Sequence, residues 1–299
     1  MAVFGTGDLK NLPRNIADGM VKDAKTGSTI AALSGREAQR FGNVDIITFN
    51  DFPKAEFVGQ GADKGSSGGS FGSVTAEPHK AQVTMRFNEE VQWADEDYQL
   101  GVLQELADAG KIALARALDL GLYYRINPLT GTAISGWTNY LNTTTKRVEI
   151  TSTSAADMDI ETAVGLVIGA QKPVTGIALD PSYAWTLATA RFGDGRKKFP
   201  ELGFGVNLSS FQGLPASVGD TVSGRPEAAD TKVRAIVGDF RSGIRWGVQR
   251  DIPVELIKYG DPDGQGDLKR KNQIALRLEI VYGWYVFADR FAVVEDATA

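Results

Sequence analysis

His79 is the one histidine of the chain, so any Ser-His-Asp arrangement would have to use it. It follows Pro78 in a polar stretch that does not hold a base in place, and an exposed polar residue is the simpler reading. Asp261, Asp263 and Gln265 fall at the first, third and fifth positions of a calcium-type loop, with Gly266 at the sixth. The twelfth position, where a bidentate Glu belongs, is Asn272, and no helix flanks the loop on either side. Tight-turn chemistry accounts for the same Asp and Gly residues equally well. Glu89-Glu90 and Asp95-Glu96-Asp97 bring carboxylates together, as acid/base chemistry would require. Neighbours on a strand face opposite ways, however, and the second group suits the start of a helix. The run from Gly59 to Ser70 contains neither a Walker string nor a dinucleotide fingerprint, so its glycines read as a flexible tip. The chain has no cysteine, which excludes disulfides, Cys-ligated zinc, iron–sulfur clusters and thiol nucleophiles. No cofactor is expected.

The elements that would carry these residues follow from periodicity. Residues 1–43 are weakly periodic and punctuated by Gly and Pro, and they read as a frayed terminus or an arm that orders on a partner. From Val44 to Phe49 the composition is that of a strand, and Val83, Met85 and Phe87 alternate with polar residues. Residues 44–91 therefore read as a long hairpin with a Gly- and Ser-rich tip. A two-stranded ribbon alone is marginal in water, so it must lie on something. Leu100, Leu103, Leu106, Ala107, Gly110, Leu114 and Leu118 recur at helical spacing, with Asp95 and Asp97 available as caps and Pro128 as the stop. A helix of this extent is a rod of roughly 45 Å. The middle reads as α/β, with helices over 161–170 and 182–191 and strands over 176–181 and 233–240. The stretch from Phe192 to Arg225 reads as loop that could project outward. Two alternating runs, at 244–249 and 274–287, close the chain as strands, the second also about 45 Å long.

Composition narrows the function classes. With 299 residues, 42% hydrophobic and 23% charged, the chain is long enough for two packed domains and is not disordered along its length. A net charge of −5 without a long basic run argues against a dedicated nucleic-acid binder, though not against loose contact with packed DNA. No window has the length and apolarity of a membrane span, and Met1–Gly5 lacks a signal-peptide pattern.

The segments Val237-Gly238-Asp239-Phe240, Gly243 to Asp251, Asp267-Leu268, Asn272 to Glu279 and Tyr282-Gly283-Trp284 resemble the closing part of tailed-phage major capsid proteins of the Hong Kong 97 type. The order of elements is similar over nearly the whole chain. The resemblance implies an α+β fold with an N-terminal arm at 1–43 and an extended hairpin loop at 44–91. It implies a peripheral domain from 92–127 and 247–299, with a long spine helix and long strands, and an α/β axial domain at 128–246. It implies a non-enzymatic subunit that assembles with copies of itself into hexamers and pentamers of an icosahedral shell around double-stranded DNA. Arm and hairpin would clamp across subunits, with Phe49, Phe52, Phe57, Lys64 and Phe71 as contact residues. Many relatives carry a scaffolding segment ahead of the arm. Here Met1 leads almost directly into the arm, so a separate scaffolding protein is expected, with a portal and a decoration protein as further partners. The place implied is the virion capsid, after assembly in the host cytoplasm and with no membrane involved. Some relatives join Lys and Asn side chains of neighbouring subunits, aided by a Glu. The matching residues here are Lys64, Asn272 and Glu279, and a polar ladder with a solvated loop Lys is the plainer account. Two rivals remain on sequence alone: an encapsulin-type compartment with enzyme cargo, and a metal-dependent enzyme using Asp261 and Asp263.

Overall fold

In the computed structural model, residues 27–51, 54–90, 96–152, 154–204 and 208–296 are described, with backbone alone for 49–51, 96–104 and 251–254. The described chain begins with a short helix, α1 (Thr29–Leu33), capped by the Ser28 side chain, which accepts from the Ala31 amide at 2.9 Å. A hairpin of β1 (Val44–Asp51) and β2 (Ser70–Asn88) follows, antiparallel from Val44↔Ala76 to Asp51↔Ser70. At 19 residues β2 runs far past β1. Its second half pairs with a later strand, which is how the hairpin escapes the instability of an isolated ribbon.

The spine helix α2 (Glu96–Tyr124) stops three residues before Pro128 comes into range. Arg125 takes a left-handed conformation, φ 53°, and its amide still reaches the Gly121 carbonyl at 2.8 Å. The stop is therefore a left-handed cap rather than the expected proline. Asp95 lies outside the described residues, as does the side chain of Asp97, and so the expected capping carboxylates do too. A two-residue pair, β3 (Ile126–Asn127) and β4 (Thr132–Ala133), leads into β5 (Arg147–Glu149), helix α3 (Ala156–Gly169), β6 (Gly176–Leu179) and helix α4 (Pro181–Thr189). Pro181 occupies the first turn of α4 and Asp180 caps it. Then come β7 (Ser210–Phe211), β8 (Leu214–Val218), β9 (Val233–Gly238), the single turn α5 (Phe240–Gly243), β10 (Ile244–Ile257), β11 (Gln273–Val286) and β12 (Phe291–Glu295).

Two sheets organise these elements. The four-stranded sheet has the order β1-β2-β11-β10, and the six-stranded one β5-β12-β9-β6-β8-β7. Helix α2 lies on the four-stranded sheet. Gly110 brings the helix backbone so close that an added Cβ would sit 2.9 Å from Leu278 Cδ1. Helices α3 and α4 cover one face of the six-stranded sheet through Ile160, Ala163, Val167, Tyr183, Ala184 and Leu187. The opposite face shares a core with the spine helix, where Leu118, Leu122 and Tyr123 meet Ile236, Phe240, Trp284 and Phe291. Each fully buried side chain of this kind contributes ~1.5–3 kcal/mol, so spine and middle region are welded through a common core.

Three further expectations need correction. Residues 27–43 order on their own chain rather than fraying: Ile30 is fully buried and Ser28 and Thr29 bond to the spine helix. The stretch 192–225 is not simply a projecting loop, because β8 runs parallel to β6 within the sheet and Phe211, Thr221 and Val222 are buried. The last strand, β12, pairs with β9 and β5 in the six-stranded sheet, although the expected division at 247–299 placed it with the spine helix.

Candidate functional site

The hairpin leaves the body as β1 and the first half of β2, and every described residue from 54 to 71 is exposed. The tip lies beyond the β2–β11 pairing, which stops at Glu77, so nothing else among the described residues packs on either face and turn contacts shape it. The Lys54 amide donates to Ser67 Oγ at 2.6 Å and the Gly65 amide to Glu56 Oε1 at 2.5 Å. Phe57 is fully exposed, Phe71 is 69% exposed, and Lys64 sits on the same tip. Phe49 pairs through its backbone with Phe71, while its side chain and all of Phe52 lie outside the described residues.

Lys64, Asn272 and Glu279 are not brought together by any hydrogen bond or ion pair within the subunit. Asn272 is a left-handed turn residue ahead of β11, φ 50°, and so not part of a polar ladder with Glu279, and its carbonyl accepts from the Glu89 amide at 2.8 Å. Glu279 is mostly buried within β11 and pairs with Lys80 at 2.9 Å.

The calcium-like loop has a partner on its own chain. Arg86, only 4% exposed at its side chain, donates Nε to both Asp263 oxygens at 2.7 and 2.8 Å and Nη2 to Asp261 at 2.8 Å and to the Gly266 carbonyl at 2.9 Å. The guanidinium holds the Asp263 carboxyl below the usual carboxylate range, chiefly through these hydrogen bonds. The spacing that imitates a metal loop thus serves a buried cation that the chain itself supplies. Glu89 is likewise engaged, with Lys269 at 3.0 Å.

His79 is not the exposed polar residue expected. Its ring lies 4.2 Å from Trp137 and 4.0 Å from Trp284, centroid to centroid. Burial drives its pKa down from 6.5 to about 4, so it is a neutral ring packed between indoles at neutral pH. It lines a largely apolar cavity of about 580 Å³ between β2, α2 and the β3–β4 turn.

Sequence reasoning passed over the polar seam between the spine helix and the six-stranded sheet with its connecting turns. Arg116, fully buried, donates to both Glu227 oxygens at 2.7 and 2.6 Å, to Asp220, and to the Arg225 carbonyl at 3.0 Å. One turn on, Asp119 accepts from the Thr29 amide and hydroxyl at 2.8 Å each, from Thr221 Oγ1 at 2.7 Å and from Ser28. Burial raises the Asp119 pKa and these four donors oppose the rise. Tyr124 donates to the Val222 carbonyl. The available signal was Arg116, Asp119 and Tyr123, at i, i+3 and i+7, interrupting an otherwise apolar helix face.

No protein-family model matches the chain, and no curated protein matches it. Solved structures do. A chain from Mycobacterium phage Ogopogo is 46% identical, with a TM-score of 0.82 over 99% of this chain and 100% of that one. A chain from Gordonia phage Cozz is 30% identical, with a TM-score of 0.82 over 99% of this chain and 94% of that one. A structure described as the capsid of an empty GTA particle is 15% identical, with a TM-score of 0.61 over 91% of each chain, and speaks to the fold alone. These relatives favour neither the cargo compartment nor the metal-dependent enzyme. Near-complete coverage by phage relatives, together with the spine helix, the projecting hairpin and the two sheets, places the chain in the family of tailed-phage major capsid proteins with the Hong Kong 97-type fold, a structural subunit of the virion shell.

Proposed function

We propose that copies of this chain form hexamers and pentamers of an icosahedral shell around double-stranded DNA, and that the hairpin tip clamps each copy to a neighbour. The observation that carries this is the tip itself. A Gly- and Ser-rich loop holds a fully exposed Phe57 and an exposed Lys64 well away from the core of its own subunit. Burying such a Phe against a second copy contributes ~1.5–3 kcal/mol, and many modest contacts repeated around a closed shell add to a stable particle. Phe49, Phe52 and Phe71 are the further contact residues of this reading. The hairpin tip at 54–71 reaches outward, the spine helix with β10 and β11 forms the peripheral domain, and the six-stranded sheet forms the axial domain around the symmetry axes.

DNA contact on the inner face is not sequence-specific, in keeping with a net charge of −5. A scaffolding protein, a portal and a decoration protein are the partners that family membership brings to the proposal, with assembly in the host cytoplasm. Deleting residues 59–70 and following particle formation tests the clamp. The subunit is expected to stay folded while shell yield or robustness falls. Normal, equally robust particles would refute it.

A further inference from the structure

Between α1 and β1 the chain makes a crossing. β10 and β1 are the two outer strands of the four-stranded sheet, yet residues 35–43 run from one to the other. Three strand spacings make about 14 Å, and the seven steps from residue 37 to 44 reach at most ~23 Å, so the strap must take a near-direct path over the sheet. It starts at the β10 edge, where Arg36 bridges Trp246, the Glu37 amide donates to the Trp246 carbonyl at 2.9 Å, and Trp246 Nε1 donates to Ser34 at 2.8 Å. Gln249 then clasps Gly42 from both sides: its Oε1 accepts from the Gly42 amide at 3.0 Å, and its Nε2 donates to the Gly42 carbonyl at 2.9 Å.

Where the path crosses β10 and β11 the sheet presents glycine, and on β2 the residue in register is Pro78. Gly247 of β10 and Gly283 of β11 are directly paired, and both are buried. A Cβ on Gly247 would lie 2.2 Å from the Glu37 carbonyl oxygen, and one on Gly283 2.2 Å from Gln39 Oε1 and 2.3 Å from Gln249 Nε2. Tyr282 and Trp284, which flank Gly283, belong to the core shared with the spine helix. By strand alternation the strap crosses the opposite face. Most strap residues are exposed, with Glu37 and Gln39 turned partly inward. A mostly exposed strap, held by Trp246, by the Arg245–Glu37 ion pair and by Gln249, and seated on a facing pair of glycines, is a register device rather than a piece of core.

We propose that the facing pair Gly247–Gly283 is the seat of this strap, and that the seat positions the base of the hairpin for its contacts with neighbouring copies. The second half rests on the clamp reading above. The two substitutions differ in a way that tests the seat. At 247 the new methyl meets backbone, which yields only if the strap lifts. At 283 it meets the ends of two glutamine side chains, which can swing aside.

Amide hydrogen exchange on the full-length subunit reads this directly. Gly247→Ala is expected to speed exchange at Glu37 and Gly42 by about tenfold or more while amides of β9 and β11 keep their protection, with a smaller effect for Gly283→Ala. Gln249→Ala removes the clasp without adding bulk, and keeps the test valid should Gly247→Ala fail to fold. It is expected to release Gly42 in the same way. Unchanged exchange at residues 35–43 in the folded variants, or a loss of protection spread evenly over the sheet, would overturn the seat. Electron microscopy of particles tests the positioning half: a released strap is expected to lower shell yield or give malformed shells. Normal shells from the released variants, where deletion of 59–70 lowers shell yield or robustness, would overturn positioning by the seat. Normal shells from both would instead sink the clamp.

Discussion

Replacing Arg116 with methionine should lower the stability of the subunit by about 3–5 kcal/mol, the usual cost of removing one partner from a buried ion cluster. The geometry sets where that cost falls. The guanidinium is 1% exposed, and Glu227, its bidentate partner, is 12% exposed, so Glu227 would keep a largely dry carboxylate without its cation. Asp220 is 31% exposed and recovers part of its hydration, which places the loss mainly on Glu227. Burial opposes the charge on Arg116, and the bonds to Glu227 and Asp220 more than offset that, so the guanidinium is held above its ordinary range. At roughly 2–4 °C per kcal/mol for a chain of this size, Tm should fall by on the order of 10 °C. Urea unfolding of the subunit, read by tryptophan fluorescence, measures the shift at constant m. Adding Glu227→Met to Arg116→Met should restore much of the loss, because an apolar pair of similar volume no longer strands a charge. A cost below about 1 kcal/mol for Arg116→Met, or no recovery in the double variant, would refute the view that this seam joins the spine helix to the six-stranded sheet.

Two further outcomes follow from the site geometry. His79 has a folded pKa of about 4 against an ordinary 6.5, so the fold favours its neutral ring; that contribution is complete above pH 6.5 and is lost as pH falls towards 4. With the ring only half-buried the loss is discounted to about 1–2 kcal/mol, and urea midpoints at pH 7.5 and 4.5 should converge in His79→Phe relative to the parent; equal pH dependence in the two would contradict it. Because Glu279 is engaged by Lys80 and Asn272 lies in a turn, mature particles on a denaturing gel should give one band at 32.1 kDa, and a ladder of multiples would show that Lys64 is joined to a neighbour.

Periodicity carried most of the fold. The α2 helix, β2, β10 and β11 were legible because their apolar residues recur at helical or alternating spacing, even though β11 ends up buried on both faces over 273–276 and 281–284. What was not legible depended on long-range pairing. β12 reads as a short apolar run that could sit anywhere, and only its pairing with β9 assigns it to the six-stranded sheet. The spine helix ends at Arg125 because a non-glycine residue accepts a left-handed conformation there, against local preference. The charged residues behaved similarly. A metal loop at Asp261 and Asp263 stayed open beside the turn reading because their partner, Arg86, lies 175 and 177 residues away in sequence. His79 was read as exposed because the two indoles that enclose it come from residues 137 and 284. Gly247 and Gly283 lay within the segments that carried the family resemblance, but nothing local shows that they floor a strap.

The central claim is that this chain builds a closed shell with copies of itself, and electron microscopy of the purified full-length protein under assembly conditions tests it most directly. The account predicts closed icosahedral particles whose reconstruction shows rings of six and five subunits, with the 54–69 tip of each lying against a neighbour. A uniform population of single subunits across protein concentration and salt, with scaffolding protein supplied, would contradict it.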